Sequence, residues 1–555
     1  MFTFRLGQDP TEHPPASRSP SLPCHLTAAG SLSDLRWSNF ADSQAQVQRF
    51  YEPEGYTMAW TQNGVITNRA EAIIEMLRAA EIKGLDPDDC DAQRWPARLE
   101  RLRGSPSLED TTRFDLALTV SLMRYLSDLR MGRVNPGWFD ATRDVEQGKY
   151  DLARLVRRLA SSAGDVQAAA AEIEPPFEGY RRTQKVLQSY LAIAHDDDGE
   201  PLPATGNVIE PGSLYSGAPQ LVRLLRRLGD LPEHISCSDA GEYDSALVEA
   251  VKRFQARHGL KPDGRVGKAT QRELNTPLSR RVRQLQLTLE RWRWVPHRFS
   301  QPPIVVNIPE FRLRAFNESY KPELGLNVVV GRAFRHQTPV FAGELKYVVF
   351  RPYWNVPRSI ALAELLPKLA RSRFYLAKNG YQVVNAQNRV VTSGAVDDLV
   401  LAQLYSGRLS IRQVPGAQNA LGLVKFLFPN EHSVHLHGTP AIDLFARSRR
   451  DFSHGCIRVE HPELLASWVL RDEQQWTPDR IADAMHGSKT IEVNLKHPIP
   501  VLIVYATAVV LPSGEVRFFE DIYGQDARLE ELLAESRPYG NWRLTSSQYG
   551  PHPRH

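Results

Sequence analysis

The chain has 555 residues, 42% hydrophobic and 24% charged, an ordinary globular mixture with enough apolar material for three or four cores at roughly 150 residues per domain. Its net charge of +4 comes with no basic run interleaved with aromatics, which argues against nucleic acid as a partner; the basic helix around Arg223, Arg226 and Arg227 reads as a solvated face. No stretch stays apolar for the roughly 18 residues that a membrane-spanning helix needs. The four cysteines, Cys24, Cys90, Cys237 and Cys456, include no CxxC pair, so neither a disulfide framework nor a zinc ribbon is expected.

Residues 1–33 are rich in Pro and Ser and have no apolar h-region, so a disordered tail is expected and no Sec signal is visible. Residues 34–200 read as a helical scaffold. Ile73, Ile74, Met76 and Leu77 have helical spacing, and Leu116, Leu118, Val120, Leu122, Met123 and Leu126 repeat it. Gly132-Arg133-Val134-Asn135-Pro136-Gly137 is a stop-and-turn signal. No catalytic cluster stands out there. In residues 211–276 a short amphipathic helix, Leu221–Leu231, ends at Pro232. Leu247, Val251 and Phe254 share the face of the next helix. Gly259 stops that helix and Pro262-Asp263-Gly264 turns the chain. From about residue 300 the pattern changes to strands: Ile304–Ile308, Leu326–Gly331, Lys346–Phe350, Ile491–Asn494, and an apolar run Val501–Leu511 that reads as one buried strand. A β-rich domain over 300–505 is expected, with an inserted surface subdomain at 368–415 where strand patterning fades, and a C-terminal extension over 506–555. The fold class expected is multidomain α+β.

The chemistry concentrates in His435-Leu436-His437-Gly438-Thr439-Pro440, then, after Ala441–Phe452, in Ser453-His454-Gly455-Cys456-Ile457-Arg458. A free thiol with a pKa of about 8.5 is mostly protonated at neutral pH. A histidine in contact can take its proton and hold the thiolate as an ion pair, and a third group must orient that imidazole. Gly455 permits backbone angles closed to other residues, and N–H groups around Cys456 can form an oxyanion hole. An alternative is a zinc site from His435, His437, His454 and Cys456, since His435 and His437 share one face of a strand. Against it, there is no HExxH and no carboxylate in the motif.

Two resemblances follow from these residues. Phe254-Gln255, Gly259-Leu260, Asp263-Gly264, Gly267 and Thr270 match the pattern of the small three-helix peptidoglycan-binding domain. The histidine, fifteen residues, then Ser-His-Gly-Cys-Ile-Arg resembles the signature of the L,D-transpeptidase catalytic domain, also called the YkuD domain. Phe350–Ile360, Pro415–Gly422 with Lys425-Phe426, and Asp521–Asp526 are similar to segments of its large multidomain branch typified by YcbB. That branch places a helical scaffold first, a peptidoglycan-binding domain beside it, and a capping subdomain before the catalytic motif.

The resemblance implies Cys456 as nucleophile, His437 as general base and the Gly438 carbonyl as the group that orients it. Ser453, His454, Gly455 and Arg458 would form the substrate-binding and oxyanion loop. His454 is expected to stabilise the motif, with a second base as the alternative, and Arg458 either to bind a substrate carboxylate or to pair with Glu460. The implied reaction forms 3→3 cross-links between peptidoglycan stem peptides through a cysteine thioester, with no metal or organic cofactor and with sensitivity to carbapenems. It implies a periplasmic or envelope location, although no export signal is visible. Water as acceptor, which would make the enzyme a carboxypeptidase or endopeptidase, a zinc-dependent peptidoglycan peptidase, and a noncatalytic wall-binding protein are the alternatives.

Overall fold

The computed structural model describes residues 21–139, 150–161, 164–196, 199–204, 206–237 and 241–535. Helices dominate the first half because the apolar residues recur at helical spacing. The helix Leu108–Met131 is its spine. Ser107 and Asp110 cap it reciprocally (Asp110 N to Ser107 Oγ 3.1 Å, Ser107 N to Asp110 Oδ2 3.2 Å). The helices Gln44–Tyr51, Asn68–Arg78 and Leu152–Ser161 pack around it, with Trp60, Trp95 and Phe114 in a shared core. A two-stranded hairpin, β1 (Thr61–Gln62) with β2 (Val65–Ile66), sits in the same unit. The expectation of a disordered tail over 1–33 fails for 21–33. Leu22–Ala29 is a helix, and Leu32 is buried in the scaffold core. Apolar side chains were enough to dock a segment whose Pro and Ser content suggested otherwise. Residues 1–20 lie outside the described residues.

The second unit holds Ala218–Arg227, Ser245–Arg257 and Lys268–Leu274 around Leu221, Tyr243, Leu247, Val251 and Phe254. It starts earlier than residue 211. Leu202 belongs to its core and bonds Asn275, and Ile209 bridges to Val266. Gln255 is its hub: its amide nitrogen donates to Asp263 Oδ1 (3.2 Å), the Arg265 carbonyl (2.9 Å) and Thr270 Oγ1 (3.1 Å), and its oxygen accepts from Gly264 N (2.8 Å). The residues that carry the sequence pattern here are therefore those that fasten the loop between two helices.

The catalytic-motif half is a nine-stranded sheet: β3 (Ile304–Asn307), β4 (Arg312–Phe316), β5 (Pro322–Gly331), β6 (Phe341–Phe350), β11 (Val424–Leu427), β12 (Leu436–His437), β13 (Asp451–Ser453), β14 (Ile457–Val459) and β15 (Ile491–Val504). The order is β13-β5-β14-β12-β11-β6-β15-β3-β4. Strand β5 pairs with β14 through Val328 and Val329 and with β4 further back, so the sheet closes on itself. Val306, Val348, Phe350, Phe426, Leu436 and Ile457 fill its core.

Between β6 and β11 is a subdomain with its own four-stranded sheet: β7 (Trp354–Asn355), β8 (Tyr381–Val384), β9 (Val390–Thr392) and β10 (Ser410–Gln413), in the order β7-β10-β8-β9. It begins at Trp354, not 368, because β7 pairs with β10 and Val356, Leu365 and Leu366 lie in its core. Its closing end is fixed by Asn419, whose amide donates to the carbonyls of Val414 (2.9 Å) and Pro352 (3.2 Å) while its oxygen accepts from Leu421 N (2.9 Å).

The run Val501–Leu511 is not one strand. β15 ends at Val504, the chain bends through Tyr505–Thr507, and β16 (Ala508–Val510) forms a hairpin with β17 (Val516–Phe518). That hairpin packs on the helices Glu178–His195 and Leu278–Trp292 through Tyr180, Tyr190, Leu285 and Leu289. The buried bidentate pair of Arg257 with Asp230 (2.7 and 2.5 Å) sits at the same joint, with Arg257 also reaching Tyr190. No helix among the described residues is long and apolar enough to cross a membrane.

Asn419 is 1% exposed, so Asn419→Ala leaves several backbone groups unpaired at a cost of about 1–3 kcal/mol. Hydrogen exchange is expected to rise at Gln413, Val414 and Leu421 and to stay unchanged in the helix Leu108–Met131. Equal protection in both proteins would sink this account of the hinge.

Candidate active site

Three adjacent strands alternate between the core and the opposite face, as the two-residue period of a strand requires. On β11 and the residues flanking it, Val424, Phe426 and Phe428 are in the core, Lys425 and Leu427 alternate to the other face, and Leu423 is half-buried against the core. Around β12, Val434 and Leu436 point in, leaving His435 and His437 on the other side. Around β14, Ile457 and Val459 point in, leaving Cys456 and Arg458. Lys425 pairs with His437 and His437 with Arg458, so these three form one row across the sheet. His435 and Cys456 lie in the neighbouring row, one step before the pair Leu436 and Ile457.

His437 is 4% exposed. Its Nδ1 lies 2.6 Å from the carbonyl oxygen of Gly438. A carbonyl only accepts, so Nδ1 carries the proton and Nε2 is left as the acceptor. This arrangement needs the backbone after His437 to run close to Gly422. A Cβ on Gly422 would stand 2.6 Å from the Gly438 carbonyl carbon and from Thr439 N, and Gly422 itself has φ +65°. Only glycine fits both demands.

The cysteine loop is tied from several sides. Ser453 Oγ donates to the Cys456 carbonyl (2.6 Å) and accepts from Gly455 N (3.1 Å). Gly455 has φ +109°, a conformation other residues rarely adopt. Thr338 Oγ1 donates to the Gly455 carbonyl (2.8 Å) and accepts from Gly331 N (2.9 Å). The Tyr523 hydroxyl, from the C-terminal segment, donates to the Gly331 carbonyl (2.6 Å), and Asp521 accepts from the Tyr505 hydroxyl (2.6 Å) behind it. The thiol of Cys456 points at the Ser433 carbonyl, 3.8 Å away. Ser433 has φ +54°, and Asn430 braces that turn by bonding Val434 in both directions. His454 Nε2 is 2.7 Å from Glu364 Oε1, a residue of the inserted subdomain, and its ring lies 5.0 Å from that of His336. The nucleophile loop and the cap are thus joined.

Arg458 does not pair with Glu460, whose carboxylate takes the Asn327 amide at 2.8 Å. Burial lowers the pKa of the Arg458 guanidinium, as does Arg332 nearby. The electrostatics also differ from a preformed ion pair. Burial, above all, brings His437 down to about 3 and His435 to about 4, while it pushes the Cys456 thiol up. Lys425 lowers both histidines further, and the thiol is pulled down against burial first by a backbone hydrogen bond at His435 and then by Lys425 and Arg458. At rest the pair is a neutral thiol and a neutral imidazole, because neither charge is adequately solvated on this half-buried face.

The structure brings Cys456, His437, Gly438, Ser453, Gly455 and Arg458 together, with His454 at the rim. Sequence reasoning missed Gly422, Thr338, Glu364, Ser433 and the site-facing role of Lys425. The Gly422 signal was present in the segment before the motif, whereas Thr338 and Glu364 arrive only through tertiary contact. No group of three or more His, Cys, Asp or Glu among the described residues is placed to hold a metal ion.

Three family models match the chain. Residues 45–187 match a "Scaffold domain", 217–274 a "Putative peptidoglycan binding domain" and 302–495 the "L,D-transpeptidase catalytic domain". A Haemophilus influenzae protein named "Putative L,D-transpeptidase" is 33% identical over 263 residues, 47% of this chain and 51% of that protein. The chain therefore spans about half the length of this curated relative.

If the imidazole is neutral at rest, the carbon resonances of His437 should stay constant from roughly pH 5 to 8 and titrate only near 3. A midpoint near 6.5, read by NMR on selectively labelled protein, would refute the burial argument.

Proposed function

Taking as given that this chain belongs to the L,D-transpeptidase family, with a YkuD catalytic domain behind a scaffold and a peptidoglycan-binding domain in the YcbB-like arrangement, we propose that it cross-links peptidoglycan stem peptides 3→3 through a thioester on Cys456. The observation that carries this reading is the row of Lys425, His437 and Arg458 beside Cys456. It gathers a nucleophile, a base with a free acceptor nitrogen, and positive charge on one face.

The donor is a tetrapeptide stem with meso-diaminopimelate third, by resemblance to the family. Its terminal D-Ala carboxylate is anionic, and Arg458 is suited to receive it, with Arg332 close by. Cys456 loses its proton to Nε2 of His437 as sulfur attacks the diaminopimelate carbonyl. The Gly438 carbonyl holds the imidazole in the tautomer that leaves Nε2 free and steadies the cation that forms, as in other nucleophile–base–orienter sets. Backbone N–H groups around Cys456, on the loop fixed by Ser453 and Thr338, receive the oxyanion. The imidazolium returns the proton to the departing D-Ala amine. The side-chain amine of a second stem then opens the thioester. No metal takes part in these steps. The cell envelope is where such a substrate lies, and the three-helix module is assigned to holding the enzyme on the wall.

Cys456→Ala is expected to abolish formation of cross-linked muropeptides from purified tetrapeptide substrate, read by mass spectrometry; retained cross-linking would overturn the nucleophile. His437→Ala is expected to slow acylation by roughly 10²–10⁴-fold. A larger loss in His454→Ala than in His437→Ala would reverse the two histidines.

A carbapenem is expected to add one mass to the intact protein, mapped to the peptide holding Ser453–Arg458 and absent in Cys456→Ala. An adduct on Cys24, Cys90 or Cys237 would instead mark ordinary thiol reactivity.

A further inference from the structure

Lys425 lies in the segment before the motif, and its ammonium enters none of the steps of the proposed reaction. It lies on the site face of β11, opposite His437 in register. A long cation on a half-buried face ordinarily finds a carboxylate. Among the described residues it has none. Its cross-strand neighbour on β6 is Val349, and the next in that row, on β15, is Glu492, a full strand further away. Burial lowers its pKa, and the one group that pulls the other way is Cys456.

The charged and titratable groups near that sulfur can be taken element by element. Strand β11 offers Lys425, β12 offers His435 and His437, and β14 offers Arg458. Arg332 on the loop after β5 and Glu364 of the cap lie near Arg458, and Glu364 is already engaged with His454. Both histidines on β12 are neutral at rest, so neither can be the standing partner of a thiolate. Arg458 also lowers the thiol, but it is the group assigned above to the substrate carboxylate. A backbone hydrogen bond at His435 also steadies the sulfur but carries no full charge; of the side chains with a permanent charge not assigned to substrate, that leaves the lysine.

We propose that the Lys425 ammonium is the standing counter-charge of the Cys456 sulfur, holding the negative charge that develops there while His437 only relays the proton. The inference rests on the acyl-transfer reading above. In the step, the S–H proton passes to His437 Nε2 and a C–S bond forms. The C–N bond to D-Ala then breaks and the proton returns to the amine. Lys425 keeps its three protons throughout. Its contribution is a cation beside the sulfur as charge develops there, while the imidazolium that burial disfavours is formed only in transit.

The test uses the full chain and needs no stem peptide. Iodoacetamide, a neutral electrophile, reacts with thiolate. Its rate at the Cys456 peptide is followed by mass spectrometry across pH, with Cys24, Cys90 and Cys237 as internal references. Lys425→Met is expected to move the Cys456 profile upward by about one pH unit, roughly a tenfold slower reaction near neutral pH. Lys425→Arg is expected to restore most of the rate, since it returns the charge. Lys425→Gln gives a second neutral variant in case Met alters packing, and thermal unfolding checks that each variant is folded. A wild-type profile in both neutral variants would overturn the proposal. So would Lys425→Arg as slow as Lys425→Met, which would assign the residue to packing. Muropeptide transfer is measured separately. Loss of the profile shift with intact transfer removes Lys425 alone, whereas a clear shift without any transfer removes the proposed reaction and leaves the counter-charge standing.

Discussion

The closeness of two glycines governs the site. Gly422 must run against Gly438 for the Gly438 carbonyl to turn back onto His437. If that backbone contact opened, the imidazole would lose its tautomer and β12 its place between β11 and β14. The strand pairing then does the rest, because residues directly opposite one another in a sheet share a face. A one-residue slip of β12 would send His437 into the apolar core and bring Leu436 out. Register, set by packing of Val424, Phe426, Leu436 and Ile457, therefore determines the chemistry.

Around this row the protein places support rather than further reactive groups. Ser453, Thr338 and Tyr523 form a chain of hydrogen bonds from the C-terminal segment to the Cys456 loop. Each link satisfies a buried polar atom that would otherwise cost free energy. The cap reaches the same loop through Glu364 and His454. The cysteine is thus approached by the closed sheet, the cap and the C-terminal segment, and its loop is held from all three.

Much of this was legible in the sequence where local rules suffice. The helical spacing from Leu116 to Leu126, the peptidoglycan-binding pattern around Phe254-Gln255 and the histidine–cysteine spacing were read from residue type and period. The orienting role of the Gly438 carbonyl was implied by the family resemblance, although the contact with Gly422 that turns it onto His437 was not. What escaped had nonlocal causes. Leu32 looked like part of a polar tail because its packing partners lie far along the chain. The cap began earlier than expected because Trp354–Asn355 is a strand only by virtue of pairing with Arg412 and Gln413. The ion pair expected at Cys456 gave way to a neutral pair because burial, invisible in a motif, outweighs proximity. Lys425 stood in plain view, but only register shows that it faces the histidine.

The hairpin β16–β17 has a consequence for how the molecule comes into being. It closes an apolar seam with the helices Glu178–His195 and Leu278–Trp292, with Phe518 meeting Tyr190 edge to face at 5.4 Å. Those helices leave the ribosome long before their covering strands. The joint between scaffold and closed sheet is of very high contact order, and its apolar faces stay exposed until nearly the whole chain has been made. The nascent protein thus carries an uncovered hydrophobic seam through most of its synthesis, and a chain truncated before Ala508 would keep that seam permanently.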